Sequence, residues 1–156
     1  MNKMKFHFVS NHLPCKQEND LKNKHFKIKN MKKINIIYWV TTIIIFLMEA
    51  VMPAFTSQTE LAKEGIRHLG YPEYFGNALV AFKILGGLLL VIPQVPARIK
   101  EWAYVGFAFD FIFASISHFT IDGVNFQSFL PLIFLVILVI SYVYFHKRLQ
   151  LAPAKI

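Results

Sequence analysis

The sequence holds a single cysteine, Cys15, in a polar stretch near its start. One cysteine excludes an internal disulfide, a CxxC redox pair and a cysteine-held cluster. It leaves a structural zinc site without support. His7, His12 and His25 flank it, but their spacings match no metal-binding pattern. Acidic residues are also scarce: nine Asp and Glu stand against seventeen Lys and Arg, for a formal charge of +8. Such a balance raises the question of nucleic acid. The basic residues form no stripe interleaved with aromatics outside the apolar blocks, so no nucleic-acid partner is expected. No Ser-His-Asp or paired-carboxylate arrangement is evident either, and no stand-alone catalytic activity is expected.

Apolar residues, by contrast, are abundant. They make up 55% of the chain and include sixteen Phe. A soluble domain usually stays nearer about 45–50%. Here they fall into four blocks, each close to the roughly 20 residues that cross a bilayer. The blocks run from Ile34 to about Met52, from Tyr74 to Pro93, from Trp102 to about Thr120, and from about Gln127 to Phe145. The chain length allows one domain. The expected fold is all-α: a four-helix transmembrane bundle in contact with the lipid bilayer.

A short amphipathic helix is expected between the first and second spans. Ser57-Gln-Thr-Glu60 has the pattern of a capping box. Leu61, Gly65, Ile66 and Leu69 repeat at helical spacing, with Lys63, Glu64, Arg67 and His68 on other faces. Gly70 supplies the stop. This helix would lie on the membrane surface or over the bundle mouth, with His68 solvated. Pro53 falls near the end of the first span, where it is tolerated. Met31–Ala54 has the basic start and apolar centre of a signal peptide. Glu49 interrupts it, and Met52 stands where a small residue is wanted, so a retained helix is expected.

Residues 1–30 are rich in Lys and Asn and show no apolar periodicity. They read as a disordered polar tail. Met31-Lys-Lys followed by an apolar run resembles a natural start, which would make the tail an upstream extension. The membrane domain then covers 31–148, with a short C-terminal tail at 149–156. With the N-terminus inside, the inside segments carry nine, two and three basic residues, and the outside ones only Lys63 and Arg67. That asymmetry predicts both termini in the cytoplasm.

Charges within the spans are few. Lys83 stands mid-span, where a lysine costs roughly 2.5–3.5 kcal/mol on insertion scales. Such charges survive by facing a bundle interior and finding a partner. Side chains lean toward their helix N-terminus, so Lys83 and Glu49, on antiparallel spans, lean toward one another. Asp110 is a second candidate partner, and His118 would complete the cluster from the outer side. Gly86 and Gly87, one turn beyond Lys83, permit close approach of another helix. Glu49, Lys83, Asp110 and His118 are the candidate cluster. It serves either as an ion-pair network fixing helix register or as a polar pocket for a proton or small ligand. A haem site is disfavoured, because His118 is the only spanning histidine placed to ligate.

Several short motifs carry a resemblance. They are Leu69-Gly-Tyr-Pro-Glu-Tyr-Phe75, Lys83-Ile-Leu-Gly86, Lys100-Glu-Trp-Ala-Tyr-Val-Gly-Phe107 and Ser117-His118. In this order across four spans, the chain resembles the DoxX-like membrane proteins over about residues 31–148. The resemblance implies a multi-pass protein of the bacterial inner membrane. The family takes its name from a subunit tied to quinone-linked sulfur oxidation. Two functions follow as expectations. One is a non-catalytic or accessory component of a membrane redox system, with a partner subunit or quinone. The other is a carrier that binds a small molecule, proton or quinone in the Glu49/Lys83/His118 pocket. No bound cofactor or metal is expected.

Overall fold

The structure, a computed structural model, describes residues 15–151. Helix α1 spans Cys15–Phe46 and passes through a π-helical stretch, Leu47–Val51, into α2, Met52–Thr56. After it come α3 (Glu60–His68), α4 (Glu73–Val91), α5 (Ala97–Ile121) and α6 (Phe126–Leu151). Four helical segments are long and apolar enough to cross a membrane: 28–56, α4, α5 and α6. No strand occurs among the described residues. This is the all-α four-helix bundle that the apolar blocks predict. Helices satisfy their backbone groups internally, the requirement a bilayer imposes.

Helix α5 packs against α4 and α6, and α1 packs against α6 and α4, so the four long segments close into a ring. Tyr38, Ile45, Leu90, Phe107, Phe111, Leu138 and Phe145 fill its centre. The outward surface is apolar too: Phe82, Trp102, Phe109 and Val136 are exposed. A soluble monomer rarely shows so continuous an apolar surface, and here lipid covers it. One end of the bundle carries the α4–α5 connection and the end of α6. We call it the basic end, and the other, with α3 and the α5–α6 turn, the mouth.

Three local expectations are corrected. Helix α1 begins at Cys15, so residues 15–30 are helical rather than part of a disordered tail. Lys, Gln, Glu and Leu are good helix formers, and extending an existing helix needs no new nucleus. Residues 1–14 of that tail, and 152–156 at the other end, lie outside the described residues. Helix α6 likewise runs to Leu151, into the stretch read as a C-terminal tail. The N-cap of α3 is Thr59 rather than Ser57: the Thr59 side chain accepts from the Ala62 amide at 3.3 Å. Ser57 instead closes α2, its amide donating to the Pro53 carbonyl at 2.9 Å. Gly70 ends α3 with φ +81°, a conformation open to glycine.

Candidate functional site

The site begins with a defect in the first helix. Through Leu47–Val51 the backbone follows a π-helical pattern, and the Met52 amide donates to the carbonyl of Leu47, five residues back. Pro53 supplies the local reason. Glu49 would normally give its carbonyl to the amide of residue 53, and proline has none. A single π turn absorbs the mismatch, and such turns are frequent at functional sites. Glu49 sits inside it and is buried. The next residue, Ala50, lies against α4. A Cβ on Gly87 would stand 2.6 Å from the Ala50 Cβ. Close approach at Gly87 therefore holds the π turn against α4, one turn from Lys83.

Lys83 is the centre of the cluster. Its Nζ donates to Glu49 Oε2 at 2.8 Å. The same Nζ lies 3.0 Å from Asp110 Oδ2 on α5. The three side chains are only 19%, 11% and 12% exposed, low enough that each charge depends on the others. One cation between two carboxylates leaves a net negative charge. Asp110 Oδ2 has the ion-pair distance but not the direction of a hydrogen bond, and it is buried with no directed partner. Buried oxygens are normally hydrogen-bonded, so beside its ion pair with Lys83 this one has room for a further donor.

Two spaces reach Lys83. A cavity of about 270 Å³ descends from the mouth between α2, α3 and α4, lined by Met48, Met52, Ile66, Asn77 and Val80, and ends at Lys83. On the lipid side a groove of about 500 Å³ runs between α4 and α5, walled by Phe82, Leu85, Gly86, Trp102 and Gly106. Its floor includes Lys83 and Asp110. Gly106 is exposed, and a Cβ there would meet nothing within 4 Å, so the groove is open at that point.

His118 does not join this cluster. Its Nδ1 donates to Asp122 Oδ2 at 2.6 Å, four residues on along the same helix end. His68 donates to the other oxygen of Asp122 at 2.5 Å. His68 is thus tied across the mouth, not simply solvated. These two bonds, that of His118 first, lower the pKa of Asp122 below its ordinary value. Arg67 of α3 also pairs with Glu73 and Glu64, and Glu73 above all raises its already high pKa. The Tyr71 hydroxyl meets Ser117 Oγ at 2.8 Å. Together these bonds fasten α3 as a cover over the mouth.

Below the cluster lies a neutral polar core that counting charges does not find. Ser141 Oγ meets Thr42 Oγ1 at 2.8 Å and the Tyr104 hydroxyl at 2.9 Å, all buried. The available signal was Ser and Thr inside otherwise apolar spans. Bonds of this kind average only about 0.6 kcal/mol between membrane helices, so their main effect is register. Among the described residues no group of His, Cys, Asp and Glu is arranged to hold a metal ion.

A closed ring of four spanning helices with a charged centre defines an integral, multi-pass membrane protein. The chain belongs to the DoxX-like family, whose model matches residues 37–141. That range contains Glu49, Lys83 and Asp110. Comparison with curated proteins and with solved structures gave no match.

Proposed function

We propose that this chain is a non-catalytic, ligand-holding component of a membrane redox system. Its ligand is a lipid-soluble molecule with a hydrogen-bonding head, and a quinone is the class the family resemblance suggests. The observation that carries this reading is Asp110 Oδ2, buried without a directed partner on the floor of a groove open to lipid. The residues fit such a head. Lys83 would donate to a carbonyl oxygen of the quinone, and Asp110 would accept from a ring hydroxyl of its reduced, quinol form. Glu49 keeps Lys83 charged and aimed, and the apolar walls take a ring and a hydrocarbon tail. When bound, a quinone supplies the electron and proton acceptor. The chain supplies position, a proton donor and an acceptor. The mouth cavity, which ends at Lys83, would give protons a route to the cluster.

We also read the basic end as the cytoplasmic side of a bacterial inner membrane, from the distribution of Lys and Arg. The test of the ligand reading uses full-length protein purified in mild detergent. Extracted quinone is measured for the native chain and for Lys83→Met and Asp110→Asn, and a short-chain quinone is titrated against thermal stability. Bound quinone that falls at least tenfold in both variants supports the reading. A stable protein partner with no retained quinone, and no thermal shift on titration, refutes it in favour of a purely accessory subunit.

A further inference from the structure

A second pocket, unrelated to the Lys83 cluster, lies at the basic end. Its volume is about 190 Å³, and Tyr38, Trp39 and Phe145 form its walls. Two cations line it, Lys100 and Arg148. Lys100 is 4% exposed, far less than an interfacial lysine that reaches into water. Its one hydrogen bond goes to a neutral group, the Leu90 carbonyl at 2.7 Å, at the end of α4. Arg148 stacks on aromatic faces, 4.4 Å from the Tyr38 ring centre and 5.8 Å from that of Trp39. Among the described residues neither cation has a carboxylate within ion-pair distance. The acid nearest in sequence, Glu101, faces His146 at 3.6 Å. The start of α5 borders the same space at Ala97, where the first helical amides have no intrahelical acceptor.

Two positive charges in an aromatic pocket, one of them buried, call for an anion. We propose that this pocket is a phosphate-binding site, taking the phosphate of an anionic phospholipid head or a free phosphate. The guanidinium presents a planar fork, Lys100 a point charge, and the helix start two amides, a donor set that suits tetrahedral oxyanions.

The test uses the full chain in a phosphate-free, nonionic detergent. Short-chain phosphatidylglycerol, short-chain phosphatidylcholine and inorganic phosphate are titrated separately by calorimetry. Saturable single-site binding of phosphatidylglycerol, with inorganic phosphate at least tenfold weaker, assigns a lipid head. Equal binding of inorganic phosphate assigns a free anion. In either case Arg148→Gln weakens binding at least tenfold, while Lys147→Gln, whose cation lies over Tyr144 outside the pocket, leaves it unchanged. Lys100→Met should abolish binding. Because Lys100 also caps α4, Arg148→Gln provides the decisive variant if that protein fails to fold. The proposal is overturned if neither phosphatidylglycerol nor inorganic phosphate saturates. It also fails if Lys147→Gln weakens binding as much as Arg148→Gln does, since a diffuse basic surface would then account for the affinity.

Discussion

Consider replacing Lys83 with Met. The native cluster holds one cation between two buried carboxylates at 2.8 and 3.0 Å. Removing the cation leaves Glu49 and Asp110 facing each other in low dielectric. Breaking a buried pair this way costs about 3–5 kcal/mol. A second route limits that cost. Two carboxyls at close quarters can share one proton, as like charges side by side do not both ionise. One shared proton restores the net charge of the native cluster, standing in for the ammonium. Binding a proton at pH 7 to a carboxyl of ordinary aqueous acidity costs about 4 kcal/mol, at about 1.4 kcal/mol per pH unit. The expected destabilisation is therefore about 3–4 kcal/mol at pH 7, falling to roughly 1 kcal/mol at pH 5. For a domain of this size that is about 6–16 °C in Tm at pH 7, shrinking as the buffer is acidified. Glu49→Gln and Asp110→Asn each leave a neutral one-to-one pair, and each should cost only about 1 kcal/mol. Adding Glu49→Gln to Lys83→Met should cost less than the two separate effects summed. The assay is thermal unfolding in detergent at pH 5, 6 and 7 for the native chain, the three single variants and the double variant. A Lys83→Met penalty that ignores pH would refute the reasoning, as would additivity of Lys83→Met and Glu49→Gln.

Other predictions are shorter. Gly87→Ala drives a Cβ to 2.6 Å from that of Ala50, so one helix must shift away from the other; it should lower stability by about 1–3 kcal/mol, and an unchanged Tm would show that α4 and the π turn are not in close contact. Because the pKa of Asp122 is lowered, its contribution is present above the ordinary aspartate range and is lost as pH falls through the lowered value. The difference in Tm between the native chain and Asp122→Asn should therefore shrink as the pH is taken below about 4; a difference that grows between about pH 4 and pH 3 would contradict this. In a Cys15→Ser background, a cysteine at Val124 should react with a membrane-impermeant reagent added outside cells, and one at Gln150 should not; the opposite pattern would invert the topology.

The bundle was legible because lipid imposes a coarse rule: four apolar blocks of spanning length leave few alternatives. The meeting of Lys83, Glu49 and Asp110 was legible for a related reason, since few partners exist inside a span and side-chain lean narrows them. Angular position was harder to read. His118 was assigned by depth alone, and depth does not say which neighbour a side chain faces. Asp122, one turn on in the same chain, is closer and outside the apolar block. The spacing from His118 to Asp122 carried that information. The π turn was also written in the chain, as a proline four residues after a buried glutamate. Read only for tolerance near a helix end, Pro53 hid its effect on the carbonyl of Glu49. The helix over residues 15–30 was hidden for the opposite reason: lack of an apolar face argues against packing, but not against a helix propagated from its neighbour.

The π turn has one further consequence. Along a regular helix each residue turns about 100° from the last, so consecutive side chains face different neighbours. Below the turn the inward positions of α1 are Tyr38, Thr42 and Ile45, the rhythm of an ordinary helix. At the turn that rhythm stutters, and Glu49 and Ala50 are buried side by side. The first brings charge to Lys83 and the second brings contact to Gly87. One surplus residue lets neighbouring positions do two jobs at one depth, and the stripe beyond it continues one place later, through Pro53 and Ser57 toward the mouth. The chain has in effect spliced two helical faces end to end, with the joint set at the only acid of its first span.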